Sequence, residues 1–478
     1  MKRIIAALCL PLGIILCFGG CTLAPRYTRP AAPIPSKWPG GAAYKTQEPG
    51  AAAAAGIPWK DFFTDRRLKK LVGLALKNNR DLRVATLNIE KARALYQIQR
   101  SELFPLINGS SSWTKQRQLY PGSGSGQAMT SEQYNINLGT SSWEIDFFGR
   151  IRSMKEQALE QFLATKQARR SVQISLVAEV ATAYLNLAAD REQLRLSLDT
   201  LKTQQAAYKL IKSRFEAGVS SELDLRQAQT QVDAARTDVA RYTTLSAQDE
   251  NVLDLVVGAV VPAGLFPDAL SGAITAVKDI APGLPSDVLL KRPDIIQAED
   301  LLKGANANIG AARADFFPRI ALSTNIGTTS YQLSNLFKPG SDTWSFAPQA
   351  VFPVFDAGVL RANLKAAKVD RDIALAQYEK AIQTAFREVA DALAQRGTID
   401  EQMEAQRSLV DAAAATYRLS MARYEKGIDS YLTVLDSQRS LYGAQKGLVA
   451  TRLTRLLNLV TLYKVLGGGG DAVSSQTP

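Results

Sequence analysis

The sequence predicts an α+β membrane protein built from two copies of one structural unit, and three observations predict it. The first is a duplication. Asp81, Leu82, Ala85, Ala92, Arg100, Phe104, Pro105 and Ile107 recur 213 residues later as Asp294, Ile295, Ala298, Ala305, Arg313, Phe317, Pro318 and Ile320. Tyr208, Leu210, Arg214, Glu216, Gly218, Ser221, Leu223 and Gln229 recur 209 residues later as Tyr417, Leu419, Arg423, Glu425, Gly427, Ser430, Leu432 and Gln438. Nearly equal shifts at two distant places make the repeat about half the chain, not a short solenoid unit. The second observation is a change of apolar period from helical to alternating just after each Phe-Pro. The third is a pair of very long runs almost free of glycine and proline.

The N-terminus has the form of a signal peptide. Lys2 and Arg3 precede an apolar run from Ile4 to Phe18, and Phe18-Gly19-Gly20-Cys21 follows. Small residues ahead of a cysteine resemble a bacterial lipobox, in which Cys21 is lipidated and becomes the first residue; Phe18 stands where leucine is usual. An ordinary secretion signal is the plainer alternative. All three cysteines (Cys9, Cys17, Cys21) lie in this segment, so the mature chain is expected to hold neither an internal disulfide nor a cysteine-ligated metal. The chain has no histidine, which removes Ser-His-Asp and Cys-His catalysis and the commonest metal ligand. The net charge of +12 falls to +10 without Lys2 and Arg3, and the cations are mixed with acids along helices, so nucleic acid is not an expected partner. No stretch after the signal is read as an apolar helix of about 20 residues, so an exported chain that crosses a membrane is expected to use strands.

Residues 22–60 are rich in Pro, Ala and Gly and are expected to lie extended on the rest of the chain, with a floppy tether as the alternative. From Asp65 to Leu103, Leu68, Leu71, Val72, Ala75, Leu82, Ala85, Ile89, Ala92 and Tyr96 recur at helical spacing, and Phe104-Pro105 ends the run. Alternation then marks four candidate strands, at 106–114, 131–146, 320–327 and 343–352. Each sets an apolar face against small polar residues, the pattern of a transmembrane barrel, and Trp113, Tyr134, Trp143 and Trp344 suit a membrane-interface girdle. A soluble half-buried sheet alternates in the same way. The strand pairs are joined by a loop at 119–126 and another from about Thr328 to Ser341.

The longest helices follow. Ile151 to Ala217 holds no proline or glycine, and 67 residues extend about 100 Å if unbroken. Gly218 breaks the run and a helix returns from about Glu222 to Leu255. Val359 to Lys426, with only Gly397, mirrors it; Gly427 makes the turn and Tyr431 to Leu462 returns. Such lengths with frequent alanine read as coiled coil, a sheath or rod rather than a globule. Residues 258–292, with Pro and Gly at 262, 264, 267, 272, 282, 283 and 285, read as a linker between the halves.

Four strands cannot close a barrel, which needs about eight, and an open edge cannot sit in lipid. Several chains must then share one barrel, and spacing alone leaves two, three or four chains open.

The lipobox, the two Phe-Pro helix ends, the run from Trp143 to Arg150, the run from Phe352 to Gly358, and Arg423-Tyr424-Glu425-Lys426-Gly427 with the run from Tyr431 to Gln438 together resemble TolC-like outer membrane factors. Within them the chain is similar to the lipoprotein branch serving multidrug efflux, over essentially the whole mature chain. The resemblance implies a homotrimer whose twelve strands form one transmembrane β-barrel, continued by a long α-helical barrel across the periplasm with a mixed equatorial collar. The implied divisions are 1–20 signal peptide, 21–60 lipidated extended segment, 61–104 helical barrel of the first repeat and 105–148 its strands. Then come 149–257 helical barrel with its tip near 218, 258–291 equatorial linker, 292–317 helical barrel of the second repeat and 318–356 its strands. Last are 357–462 helical barrel with its tip near 427, and 463–478 tail.

The resemblance also implies an exit duct in the bacterial outer membrane that passively conducts substrates delivered by an inner-membrane, proton-driven efflux pump through a periplasmic membrane fusion (adaptor) protein. It implies no cofactor and no metal, only a diacylglycerol and an acyl chain on Cys21 in outer membrane lipid; Thr22 rather than Asp beside it fits outer-membrane delivery. The turns at Gly218 and Gly427 match the adaptor-docking tips. Leu432 and Asp436 match the pore constriction, where three like carboxylates would favour cations. Arg423 and Tyr424 match residues that lock the tip, with Asp224 as their expected acidic partner. The plainer reading makes Asp436 a solvated helix residue and Leu432 a packing residue. With no Gly-x-x-x-x-Gly-Lys-Ser/Thr loop the chain is not expected to hydrolyse nucleotide. A tethered coiled-coil lipoprotein without a pore is the alternative, and an enzyme the least favoured.

Overall fold

The structure, a computed structural model, describes residues 22–44, 57–119, 128–270, 274 and 289–469. Cys21, the loop tip at 120–127, most of 271–288 and the tail from 470 lie outside these. In chain order the elements are α1 (Trp59–Phe62), α2 (Arg66–Asn78), α3 (Arg80–Ser101), β1 (Asn108–Leu119), β2 (Ala128–Ile145), α4 (Arg150–Glu216), α5 (Glu222–Val257), α6 (Pro293–Ala314), β3 (Arg319–Ser330), β4 (Asp342–Val351), α7 (Val359–Glu425) and α8 (Tyr431–Val465). Two compact units contain them: residues up to Ala31 with Asn88–Thr165 and Gln297–Tyr378, and Ala32–Leu87 with Lys166–Ile296 and the chain from Glu379 on.

The first unit carries one antiparallel sheet in the order β1-β2-β3-β4. All four expected strands are present, and β1, β2 and β3 run longer than the alternation suggested. Register explains the two faces. Leu138 pairs with Ile326, which pairs with Trp344, so one row of exposed apolar side chains crosses three strands. On the other face Thr329 Oγ1 donates to Asn135 Oδ1 at 2.6 Å, and Asn135 Nδ2 donates to Ser112 Oγ at 3.3 Å. Trp113 stacks on its cross-strand partner Tyr134 at 6.3 Å. Gly327 permits the close approach of β3 to β2, since a Cβ there would stand 2.0 Å from the carbonyl oxygen of Ile136. A bulge lies between Thr140 and Trp143, with Ser142 at φ 57° and its N–H held by Ser323 Oγ at 2.9 Å. β1 and β4 are the sheet's two edges within the chain.

The strand-to-helix junctions account for the motifs. Glu144 takes a forked pair of bonds from Arg150 at 2.9 and 2.6 Å, and Asp146 Oδ2 accepts the Arg152 N–H at 2.9 Å, so the acids that end β2 start α4. In the second repeat Asp356 accepts from the N–H groups of Gly358 (3.0 Å) and Leu360 (2.8 Å), opening α7. Residues 22–29 lie docked on α6 and α4: Arg313 donates to the Leu23 carbonyl, Asn306 to that of Pro25, and Tyr27 and Arg29 to Glu299. Over these described residues the N-terminal segment is packed, not a free tether.

The second unit corrects two expectations. The single helix expected over 65–103 is broken at Asn79, whose ψ of 133° is not helical; its side chain donates to the Val256 carbonyl at 2.8 Å and accepts the Leu82 N–H at 2.9 Å. An asparagine that caps α3 and ties it to α5 looks to periodicity like any polar helix position. The other concerns α4, in which one 18-residue window has a mean hydropathy of 1.3, long and apolar enough by composition to cross a membrane. That window is 72% buried, around Val177, Val180, Ala181 and Leu187, and belongs to the core of a helix bundle. The linker after α5 forms a short 3-10 turn at Ala263–Leu265, and its carbonyls at Pro267, Asp268 and Leu270 accept from Arg191, Arg195 and Arg452.

Candidate functional site

The candidate site is the pair of helical turns that join α4 to α5 and α7 to α8. Each turn ends its helix in the same way. Gly218 and Gly427 stand at φ 75° and 73°, a left-handed conformation that glycine adopts without a Cβ clash. Gly218 donates to the Phe215 carbonyl and Val219 to that of Arg214; Gly427 donates to Tyr424 and Ile428 to Arg423. The outgoing helices start at Ser221 (φ −81°, ψ 157°) and Ser430 (φ −76°, ψ 159°).

An apolar cluster welds the two turns together. Ile211, Ala228, Tyr431, Val434 and Leu435 are buried, with Tyr208, Leu225, Tyr417, Met421 and Tyr424 packed on them, so all four helices contribute. Tyr431 Oη is buried without a hydrogen-bond partner among the described residues, and burial, together with the neighbouring Tyr424, Tyr417 and Asp224, pushes its phenol up to about 12.

The polar groups divide between the turns. Arg214 Nη1 donates to Tyr424 Oη at 2.8 Å, and its guanidinium lies 5.4 Å from the Tyr424 ring centre, so one bond crosses from the first turn to the second. Arg423 instead forks onto Asp429 of its own turn, Nε to Oδ2 at 2.6 Å and Nη2 to Oδ1 at 3.0 Å. That arginine holds the Asp429 carboxyl below its ordinary range. Asp224 accepts from Ser221 Oγ (2.8 Å), Ser221 N (3.2 Å) and Ser220 Oγ (3.1 Å), while its own N–H donates to Ser221 Oγ. Burial opposes its ionisation, but these donors and the nearby Arg214 outweigh it and keep the carboxyl below its ordinary range.

Within one chain, then, Asp224 is not the acid that meets Arg423. It closes a capping box on α5: its carboxylate accepts the Ser221 N–H while Ser221 Oγ accepts the Asp224 N–H. Leu432 and Asp436 do share a face. They stand one turn apart on α8, 56% and 62% exposed, opposite the buried Tyr431, Val434 and Leu435. Asp436 is paired by Arg439, three residues on. Arg214, Asp429, Tyr431 and Arg439 are site residues that motif reading missed. The 209-residue repeat aligns Arg214 with Arg423 and could have pointed to the first of them.

A second polar belt lies farther along the same helices. Tyr442 Oη donates to Asp238 Oδ2 at 2.8 Å and lies 2.9 Å from Ser197 Oγ, and Lys446 Nζ meets Asp238 at 3.1 Å. Among the described residues no cluster of three or more acidic side chains is arranged to hold a metal ion.

Comparison with known proteins places this arrangement. The family model described as "Outer membrane efflux protein" matches residues 71–259 and 284–468. The chain is 49% identical over 461 residues to the solvent efflux pump outer membrane protein SrpC of Pseudomonas putida, covering 96% of this chain and 98% of that protein. It is 42% identical over 458 residues to outer membrane protein OprJ of Pseudomonas aeruginosa, covering 96% and 95%. Among solved structures, the open state of the Neisseria gonorrhoeae MtrE outer membrane channel superposes with a TM-score of 0.85 at 37% identity, covering 94% of this chain and 98% of that one. A membrane protein from Pseudomonas aeruginosa gives 0.88 at 40%, covering 94% and 98%.

Proposed function

We infer, from the premise that this chain belongs to the outer membrane efflux protein family, that it is the outer membrane exit channel of an efflux system. The observation that carries the reading is the sheet: four strands, one apolar exposed face and two unpaired edges. Lipid tolerates an apolar outer face but no open edge, so copies of the chain must close the sheet. The reading takes three copies and twelve strands, matching the family resemblance, with the long helices continuing the conduit through the periplasm. A pore-less tethered rod draws no support from relatives that are named as efflux proteins and channels.

In this reading Cys21 carries the lipid anchor, and the turns at Gly218 and Gly427 receive a periplasmic adaptor that joins the duct to an inner-membrane, proton-driven pump. Leu432 and Asp436 form the constriction. Arg423, Tyr424 and Asp224 keep the tip closed: Tyr424 by accepting from Arg214 of the other hairpin, Arg423 and Asp224 by fixing their own turns through Asp429 and the α5 cap. Substrate passes without covalent change, so the chain is read as a conduit and not an enzyme. The related proteins are named for antibiotic, toluene and solvent efflux, which supports small amphipathic or apolar molecules as cargo.

Planar-bilayer conductance of the purified protein tests the reading. Discrete openings from heat-modifiable trimers are the expected result. Silence from protein shown to be folded and trimeric would turn the reading toward the rod.

A further inference from the structure

The internal repeat supplies a comparison within one molecule. Two turns of the same backbone geometry carry an arginine at the same position, Arg214 and Arg423, yet the two arginines take different partners. Two side-chain differences accompany this. Six residues after each arginine stands Ser220 in the first turn and Asp429 in the second. One residue after each stands Phe215 in the first and Tyr424 in the second.

We propose that the residue six positions after the tip arginine decides whether that arginine bridges the two helical hairpins or stays on its own turn, with Ser220 releasing Arg214 to Tyr424 and Asp429 retaining Arg423.

The physical reasons are direct. A carboxylate at this position faces the guanidinium across the turn and takes two parallel bonds, the strongest geometry open to arginine. Serine offers one neutral oxygen, and in the first turn that hydroxyl already donates to Asp224. Arg214 therefore makes no ion-pair bond on its own turn, where Asp224 is near but already bonded to Ser220 and Ser221, and reaches 210 residues along the chain to the Tyr424 hydroxyl. The converse bond cannot form, because Phe215 presents no hydroxyl to Arg423. At the turns themselves the described residues of the two hairpins are thus tied by one arginine–tyrosine hydrogen bond, made from one side only. Ser220 and Asp429 are positioning residues: each acts through an arginine.

The inference rests on the channel reading above, and the experiment separates the two. Conductance of the wild-type channel tests the reading. The inference is tested by Ser220→Asp, alone and combined with Tyr424→Phe. Ser220→Asp should draw Arg214 back to its own turn and raise open probability about tenfold or more, the scale of one charge-assisted hydrogen bond. In the Tyr424→Phe background it should add nothing, since the bond it removes is already gone. That arm also separates retention from simple repulsion between residue 220 and Asp224, which would act in both backgrounds. Ser220→Asn, similar in size and uncharged, should behave as wild type. Asp429→Ser should free Arg423 for the neighbouring copy and lower open probability. A Ser220→Asp channel that matches wild type, or one whose gain persists in full with Phe at 424, overturns the proposal. So does a gain reproduced by Ser220→Asn, or an Asp429→Ser channel no more closed than wild type.

Discussion

Tyr463 lies flat on Phe62, ring centres 3.9 Å apart and planes 4° from parallel, and its hydroxyl donates to the Ile57 carbonyl at 2.6 Å. The last helix thereby holds the short α1 in the core of the second unit, where both rings are essentially inaccessible. Tyr463→Phe keeps the stack and leaves the Ile57 carbonyl unpaired, a loss of about 1 kcal/mol. Tyr463→Ala removes the ring and should cost about 3–5 kcal/mol. Denaturant midpoints of the two variants should separate accordingly, and equal midpoints would remove the stack from the core.

Asp436 and Arg439 form a pair one turn apart on the exposed face of α8, so the proposed Asp436 constriction would carry its own counter-charges. Asp436→Ala should weaken cation preference in reversal-potential measurements, and Arg439→Ala should strengthen it. Selectivity untouched by either change would take this face of α8 out of the constriction.

Tyr424 bridges two hairpins while Arg423 is bound within one turn. Both Tyr424→Phe and Arg423→Ala should raise single-channel conductance, and the tyrosine change should raise it more. An unchanged conductance in both would end the assignment of these residues to the tip lock.

Glu160 on α4 is 9% exposed, and one of its carboxylate oxygens has no hydrogen-bond partner. Burial raises its carboxyl to about 7; Asp300, Glu156 and Glu299 add to the rise, and Lys303 opposes it. Because the folded-state value lies above the unfolded one, the folded form binds the extra proton. Stability from this group is complete below pH of about 4.5 and falls as pH rises toward 7. Glu160→Gln should therefore stabilise the protein by about 1–2 kcal/mol at pH 8 and flatten this part of the pH profile. A variant whose midpoint keeps the wild-type slope between pH 5 and 7 would place that titration elsewhere.

Gly139 and Gly327 lie in the paired stretch of β2 and β3; a Cβ would stand 2.1 Å from the Thr324 oxygen at one and 2.0 Å from the Ile136 oxygen at the other. Both contacts are with backbone, which cannot swing aside. Gly327→Val should prevent closure of the sheet and abolish the heat-modifiable form on gels. A variant that assembles normally would show that the strands can separate there.

Element type was legible in the sequence because it is a local property. Apolar residues at three- and four-residue spacings make helix, alternation makes strand, and glycine after an unbroken run makes the turn at 218 and 427. Repetition added the division into halves, and four strands too few for a barrel already required partner copies. Partner choice depends on the folded backbone. Asn79 breaks a helix because the Val256 carbonyl lies across from it, and nothing in its neighbours announces that. Asp224 caps α5 and Asp429 holds Arg423, although motif resemblance pairs the first acid with that arginine. Both acids bond donors within six residues of themselves, so the backbone of each turn sets which donors they meet. Sequence thus determined which elements form and that they come twice. Tertiary structure alone decided which arginine crosses between the copies, because that depends on distances of about 3 Å between residues some 210 positions apart.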